Sequence, residues 1–249
     1  MKSRPPSVAS LALLVLAAAT APLPAVETAK PAAATTTTSS SFASMLSATG
    51  LTQDQFLSGL KTGLGAAVDM AAGDTAKAGA FQMGAPSSMA KLEGMLKAAN
   101  QTGALDGFKA SLNSAAASVA PQAAAALKES VGSLTLASAA GLTPRGSDSA
   151  TRMLRGVAEP ALRAKLMPLV AVAIAANGTA AKAKSLAAKA GPMAAMMGVP
   201  GATDLEGYVF TQLLDATFGY VAKGEAAIRA NPAMLKDKFA ATVFGGAKK

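Results

Sequence analysis

The sequence predicts an all-α fold, a compact bundle of about eight or nine helices after a signal peptide and a flexible linker. Three observations carry this. From about residue 50 onward apolar residues recur at helical spacing, and no stretch alternates convincingly like a strand. Start and stop signals punctuate that pattern: Thr52 with Gln55 and Thr203 with Glu206 are capping-box pairs, while Asn177-Gly178 and Asn231-Pro232 are stops. The composition supplies small packing residues. Alanine abounds and there are 23 Gly and 12 Met, against 8 Phe, 2 Tyr and no Trp.

Residues 1–25 read as the signal peptide. Lys2 and Arg4 precede an apolar run over 8–21, with cleavage expected after Ala21 or Ala25. Residues 26–41 are Ala, Thr, Ser and Pro and read as the linker, because such a tract buries little. Residues 42–249 then form a single all-helical domain. Its first helix is capped by Thr52 and repeats Phe56, Leu60, Leu64, Ala67 and Ala71 on one face. A loop with Gly73, Gly79, Gly84 and Pro86 follows, then a short helix through Met89, Leu92 and Leu96. The next helix carries Leu105, Phe108, Leu112, Ala116 and Val119, and Pro121 is expected to restart the chain in a further helix to about Val131.

A small helix over 136–140 stops at Gly141, and Ser147 or Asp148 caps the one after it. Pro160 is expected to open a new helix through Leu162, Leu166, Leu169 and Ile174. A weak Ala/Lys helix spans about 180–190, and residues 191–202 form a loop. The longest helix is expected at about 204–229, with a last one ending near Val243. The apolar run over 166–176 is too short to cross a bilayer and reads as a buried helix.

Composition also bounds the chemistry. With no His and no Cys, the usual zinc sites, His- or Cys-dependent nucleophiles and thiol redox centres are excluded, and no cofactor is expected. The net charge of +9 and pI near 9.9 are compatible with anionic partners, but the basic stretches lack the interleaved aromatics on which nucleic-acid binders stack bases. No nucleic-acid partner is expected. Ser88-x-x-Lys91 and Ser58-x-x-Lys61 match S-x-x-K without the accompanying S-D-N and K-T-G elements. Gly59 and Gly63 make a G-x-x-x-G pair that reads as close helix packing. Met193, Met196 and Met197, with Met167 and Met234, read either as an apolar pocket or as fillers of gaps left by alanine.

The candidate site lies on the helix over 204–229. Asp204, Tyr208, Thr211 and Asp215 fall within a narrow stripe at about 100° per residue, with Arg229 near its edge. The site is read as Asp204, Tyr208, Asp215, Glu225 and Arg229, with Arg155 and Arg229 available to an anionic headgroup. The competing reading is a solvated stripe plus a Glu225-Arg229 pair at i, i+4, worth ~0.3–0.5 kcal/mol.

The chain also resembles a family of exported bacterial proteins known only as domain of unknown function number 4197. The resemblance runs from about Leu51 to Gly245 and is clearest at Asp204-Leu205, Tyr208-Val209, Asp215, Phe218, Glu225, Ile228-Arg229, Asn231-Pro232-Ala233 and Val243-Phe244-Gly245. Upstream it includes Gly59-Leu60-Lys61, Leu154-Arg155 and Pro168-Leu169-Val170. Two elements depart from the family pattern. Lys223 and Gly224 stand where a run of glutamates usually continues, and Leu235-Lys236-Asp237 replaces an Arg-Thr-Thr element. The resemblance implies an exported all-α protein and no mechanism.

The functional expectation is therefore an exported, most simply periplasmic, protein without catalytic machinery. It would bind an apolar or amphipathic small molecule or an envelope protein partner, with no transmembrane span after signal removal. The alternative is an envelope hydrolase using carboxylate or Ser/Lys chemistry. A closed pocket would favour the small molecule, an exposed apolar groove a partner, and convergent Asp, Glu and Lys the hydrolase.

Overall fold

The computed structural model describes residues 34–98, 100, 102–140, 142, 146–189 and 204–245, with side chains from residue 42 onward. Among them are nine α-helices and no strand. They are α1 (Ala34–Thr49), α2 (Gln53–Thr75), α3 (Ala90–Ala98), α4 (Thr102–Gly132), α5 (Leu136–Ala139), α6 (Ser149–Ala176), α7 (Thr179–Lys189), α8 (Leu205–Ala230) and α9 (Lys238–Gly245). Residues 34–249 form one compact unit. The signal peptide, the stop at Gly141, the three loop methionines and Thr203 lie outside the described residues.

Four long helices make the core. α2 packs on α4 and α8, and α6 packs on the same two, so the helices close into a ring with α4 and α8 also touching across it. Inside lie Phe56, Leu60, Leu64, Phe108, Leu112, Leu162, Leu166 and Phe210, each at most 1% exposed. Leu and Phe at i, i+4 put a continuous apolar stripe on each helix, and burial of those stripes drives the assembly. The predicted capping box starts α2: the Thr52 hydroxyl accepts from the Gln55 N–H at 3.2 Å, and Gln55 Oε1 accepts from the Thr52 N–H at 3.0 Å. Asn177 and Gly178, at φ +62°, end α6 as expected.

The structure corrects four boundaries. α4 runs unbroken through Pro121, and α6 through both Pro160 and Pro168. An internal proline costs roughly 3 kcal/mol by itself, but all three rings lie on exposed faces, while Val119, Ala120, Ala158 and Leu166 hold the opposite faces in the core. Tertiary burial outweighs the local penalty. The longest helix is consequently α4, with 31 residues, and α8 with 26 is third. Helix α1 begins at Ala34, inside the stretch read as linker. Phe42 is buried edge-to-face on Phe56 at 5.4 Å, which anchors a segment whose own composition favours helix only weakly. Finally, α8 is capped by Asp204, whose Oδ1 accepts from the Gly207 N–H at 2.7 Å.

The G-x-x-x-G pair is a packing device. A Cβ on Gly59 would come within 2.7 Å of the Phe239 backbone, and one on Gly63 would overlap the Phe244 ring. These two glycines let α9 lie directly on α2. Gly224 has the same function between α8 and α2, since its Cβ would meet the Ala67 carbonyl at 3.1 Å.

Candidate functional site

The six candidate residues fall into a helix cap and three other places; Arg155 stands on α6, and the other five are spread along about 38 Å from Asp204 through α8. Asp204 is occupied as the helix cap. In the middle, Asp215 Oδ1 meets Arg155 Nη2 at 2.6 Å, and Arg155 Nε reaches Glu159 at 3.3 Å. The Arg155 guanidinium also stacks 5.5 Å from the centre of the Phe218 ring. The Asp215 hydrogen bond pushes the Arg155 pKa upward, so its charge is secure. Asp215 borders a small cavity of about 210 Å³ with Phe81, Gln82, Met83 and Gln212.

At the far end Glu225 and Arg229 form a different kind of site. Glu225 is fully buried. Its Oε1 accepts from the Ala150 N–H at 3.1 Å, and its Oε2 accepts from the Thr151 N–H and hydroxyl, both at 2.7 Å. Those amides open α6, whose N-cap residue, Asp148, makes no side-chain cap bond. A carboxylate from α8 thus caps α6, where the helix dipole favours negative charge. Arg229 donates to Glu225 Oε1 at 2.7 and 2.9 Å and to the Ser149 hydroxyl at 3.1 Å, and lies over the Phe244 ring at 5.2 Å. This joins α6, α8 and α9 and exceeds the modest i, i+4 pair expected on a helix surface. Among the described residues no buried side-chain nitrogen or oxygen lacks a partner, and no three acids gather in a group that could hold a metal ion.

Tyr208 belongs to a third feature. Its hydroxyl donates to the Gly84 carbonyl at 2.9 Å, and the other tyrosine of the chain, Tyr220, donates to the Ala80 carbonyl at 3.0 Å. Partial burial pushes the Tyr208 pKa above its ordinary value, keeping the donor proton in place. From α4, Asn113 Oδ1 accepts from the Met83 N–H at 2.7 Å. Residues 76–86 are therefore pinned from both sides, with Phe81 and Met83 buried beneath them. Replacing either tyrosine by Phe should cost ~0.5–1.5 kcal/mol and speed amide exchange over residues 80–86. Exchange measured by mass spectrometry checks this, and unchanged rates in both variants would refute the pinning.

Beside the pinned segment lies a groove of about 810 Å³, walled by the end of α2, residues 76–81 and one face of α4. On α4 the wall is Ala110, Asn113, Ala117, Pro121 and Ala124, a stripe about 21 Å long. Proline has no N–H, so Pro121 leaves the Ala117 carbonyl without its helical donor, and both residues line the groove. Lys77 stands on its rim, 2.5 Å from Asp74, whose hydrogen bond raises the Lys77 pKa. None of these residues is among the candidates read from the sequence. The available signal was the run of small residues at helical spacing along α4, which is also what tight packing looks like.

No curated protein and no solved structure matches the chain. The profile of one family, described as a protein of unknown function (DUF4197), matches residues 50–245, from the turn before α2 to the last residue of α9, and the chain belongs to that family.

Proposed function

We propose that the protein is an exported, periplasmic binding protein that holds an elongated apolar or amphipathic molecule in the α2–α4 groove. The observation that carries this is the groove itself: about 810 Å³, lined mostly by alanine, with Phe81, Thr75, Asn113 and Ser114 among the walls and Lys77 as its one charged lining residue. Its size falls in the range of small-molecule sites. Its length accommodates a slim chain of roughly 20 Å, and small side chains on both walls offer few of the large anchors on which protein interfaces depend. The Ala117 carbonyl, which receives no N–H from Pro121, can accept a hydrogen bond from a hydroxyl or protonated head, and Lys77 can meet an anionic one. Export is supported by the leader pattern over residues 1–25.

A second reading is favoured by the groove's being open along its side: an envelope partner could lay a helix or extended segment in it. One experiment separates the two. Native mass spectrometry with a sixteen-carbon fatty acid and its lysophospholipid should show a one-to-one complex. Ala117→Trp fills the groove from an exposed position and should weaken that complex at least tenfold with unchanged thermal stability. Equal binding by wild type and Ala117→Trp would overturn the groove reading, and absence of either complex would leave the partner reading in its place.

A further inference from the structure

The outer face of α6 shows a different property. Val157, Ala161, Ala164, Pro168, Val172 and Ala175 are all exposed and lie within about an 80° arc of the helix. Val157 is 45% and Val172 68% exposed, and Leu169 beside them is 39% exposed. No charged residue interrupts this stripe. Single exposed apolar side chains are ordinary, but a charge-free stripe about five turns long is the kind of surface that takes an occupant.

Charge indicates which occupant. From position 160 through 189 the chain carries Arg163, Lys165, Lys182, Lys184 and Lys189 and no acidic residue, although the whole chain has 14 acids. Five of the nine net positive charges sit in this segment. Lys165 pairs with Glu129, and Arg163 lies over the Phe210 ring at 4.5 Å. The three lysines of α7 are exposed and form no salt bridge among the described residues. An exposed apolar face followed directly in the chain by exposed cations that form no salt bridge is the pattern of a segment that lies on an anionic lipid surface, apolar residues in the headgroup boundary and cations at the phosphates.

Hydropathy points the same way. α6 and α7 together reach the apolarity of a membrane span, yet they are bent by 58° at Asn177 and Gly178, and no single described helix is long and apolar enough to cross. Leu154, Leu162, Leu166 and Val170 are moreover buried in the bundle, so α6 has only its outer face to offer. We propose that α6 and α7 form a peripheral docking face for anionic bilayers, independent of the α2–α4 groove.

Vesicle co-sedimentation tests it. The chain from Ala34 on, which is the compact unit and lacks the apolar leader, should pellet with vesicles of 70% phosphatidylcholine and 30% phosphatidylglycerol. It should partition at least tenfold less onto pure phosphatidylcholine, and 0.5 M salt should release it. Val157→Asp/Val172→Asp and, separately, Lys182→Gln/Lys184→Gln/Lys189→Gln should each weaken partitioning at least fivefold, with circular dichroism and Tm unchanged because all five positions are exposed. Retention on heparin without vesicle binding would overturn the proposal in favour of a polyanion partner. Equal binding to neutral and anionic vesicles, or variants that partition like wild type, would overturn it as well.

Discussion

Replacing Glu225 with Ala is expected to destabilise the protein by ~3–5 kcal/mol, the largest effect of any single polar substitution here. The carboxylate is fully buried and accepts from two backbone N–H groups, one hydroxyl and one guanidinium. Its removal leaves the first amides of α6 without their acceptor and strands the positive charge of Arg229 beside them. Each unsatisfied buried donor costs ~1–3 kcal/mol. A domain of this size has roughly 5–15 kcal/mol of stability in total, so the midpoint of thermal unfolding should fall by about 10 °C. Arg229→Ala should cost less, because the Arg229 side chain is 24% exposed and Glu225 keeps three donors without it. Urea unfolding of both variants measures the order. A Glu225→Ala cost under about 1 kcal/mol would mean that water replaces the lost acceptor, and the network would not hold α6 and α8 together.

The second large effect changes sign with context. Gly63→Ala places a methyl group where the buried Phe244 ring lies, and should cost ~1–3 kcal/mol. Phe244→Ala empties that space and should cost ~3–5 kcal/mol. In the Phe244→Ala background, Gly63→Ala should become stabilising by about 0.5–1 kcal/mol, the ordinary helical advantage of Ala over Gly. Gly65, two residues on and with nothing within 4 Å of a built Cβ, is the control, and Gly65→Ala should stabilise the wild type by a similar ~0.5–1 kcal/mol. If Gly63→Ala costs the same with and without the Phe244 ring, contact with α9 is not its cause.

What could be read in advance follows from the range of the interactions involved. The Thr52 capping box, the stop at Asn177-Gly178 and the buried faces of α2 and α8 depend on residues within about four positions of one another. The role of Gly59 and Gly63 was legible because close approach leaves a spacing behind. The prolines were misread because their local penalty is written in the sequence, whereas the burial of Val119, Ala158 and Leu166 that outweighs it is not. On the candidate site the polar stripe of α8 was legible as a line, but its partners were not. Tyr208 meets a carbonyl 124 positions away and Glu225 an amide 75 positions away.

The sequence by itself thus determined the helical class, most helix boundaries, the close-packing role of Gly59 and Gly63, and the family. Tertiary structure alone decided that Glu225 caps a distant helix, that both tyrosines pin one loop, and that α2 and α4 leave a groove between them. The reason is physical. Periodicity and capping are short-range properties of one segment, whereas a buried carboxylate's donors and a groove's width depend on how separate helices dock. A groove is defined by atoms that are absent from two facing elements, and alanine on each looks the same in sequence whether the helices touch or stand apart.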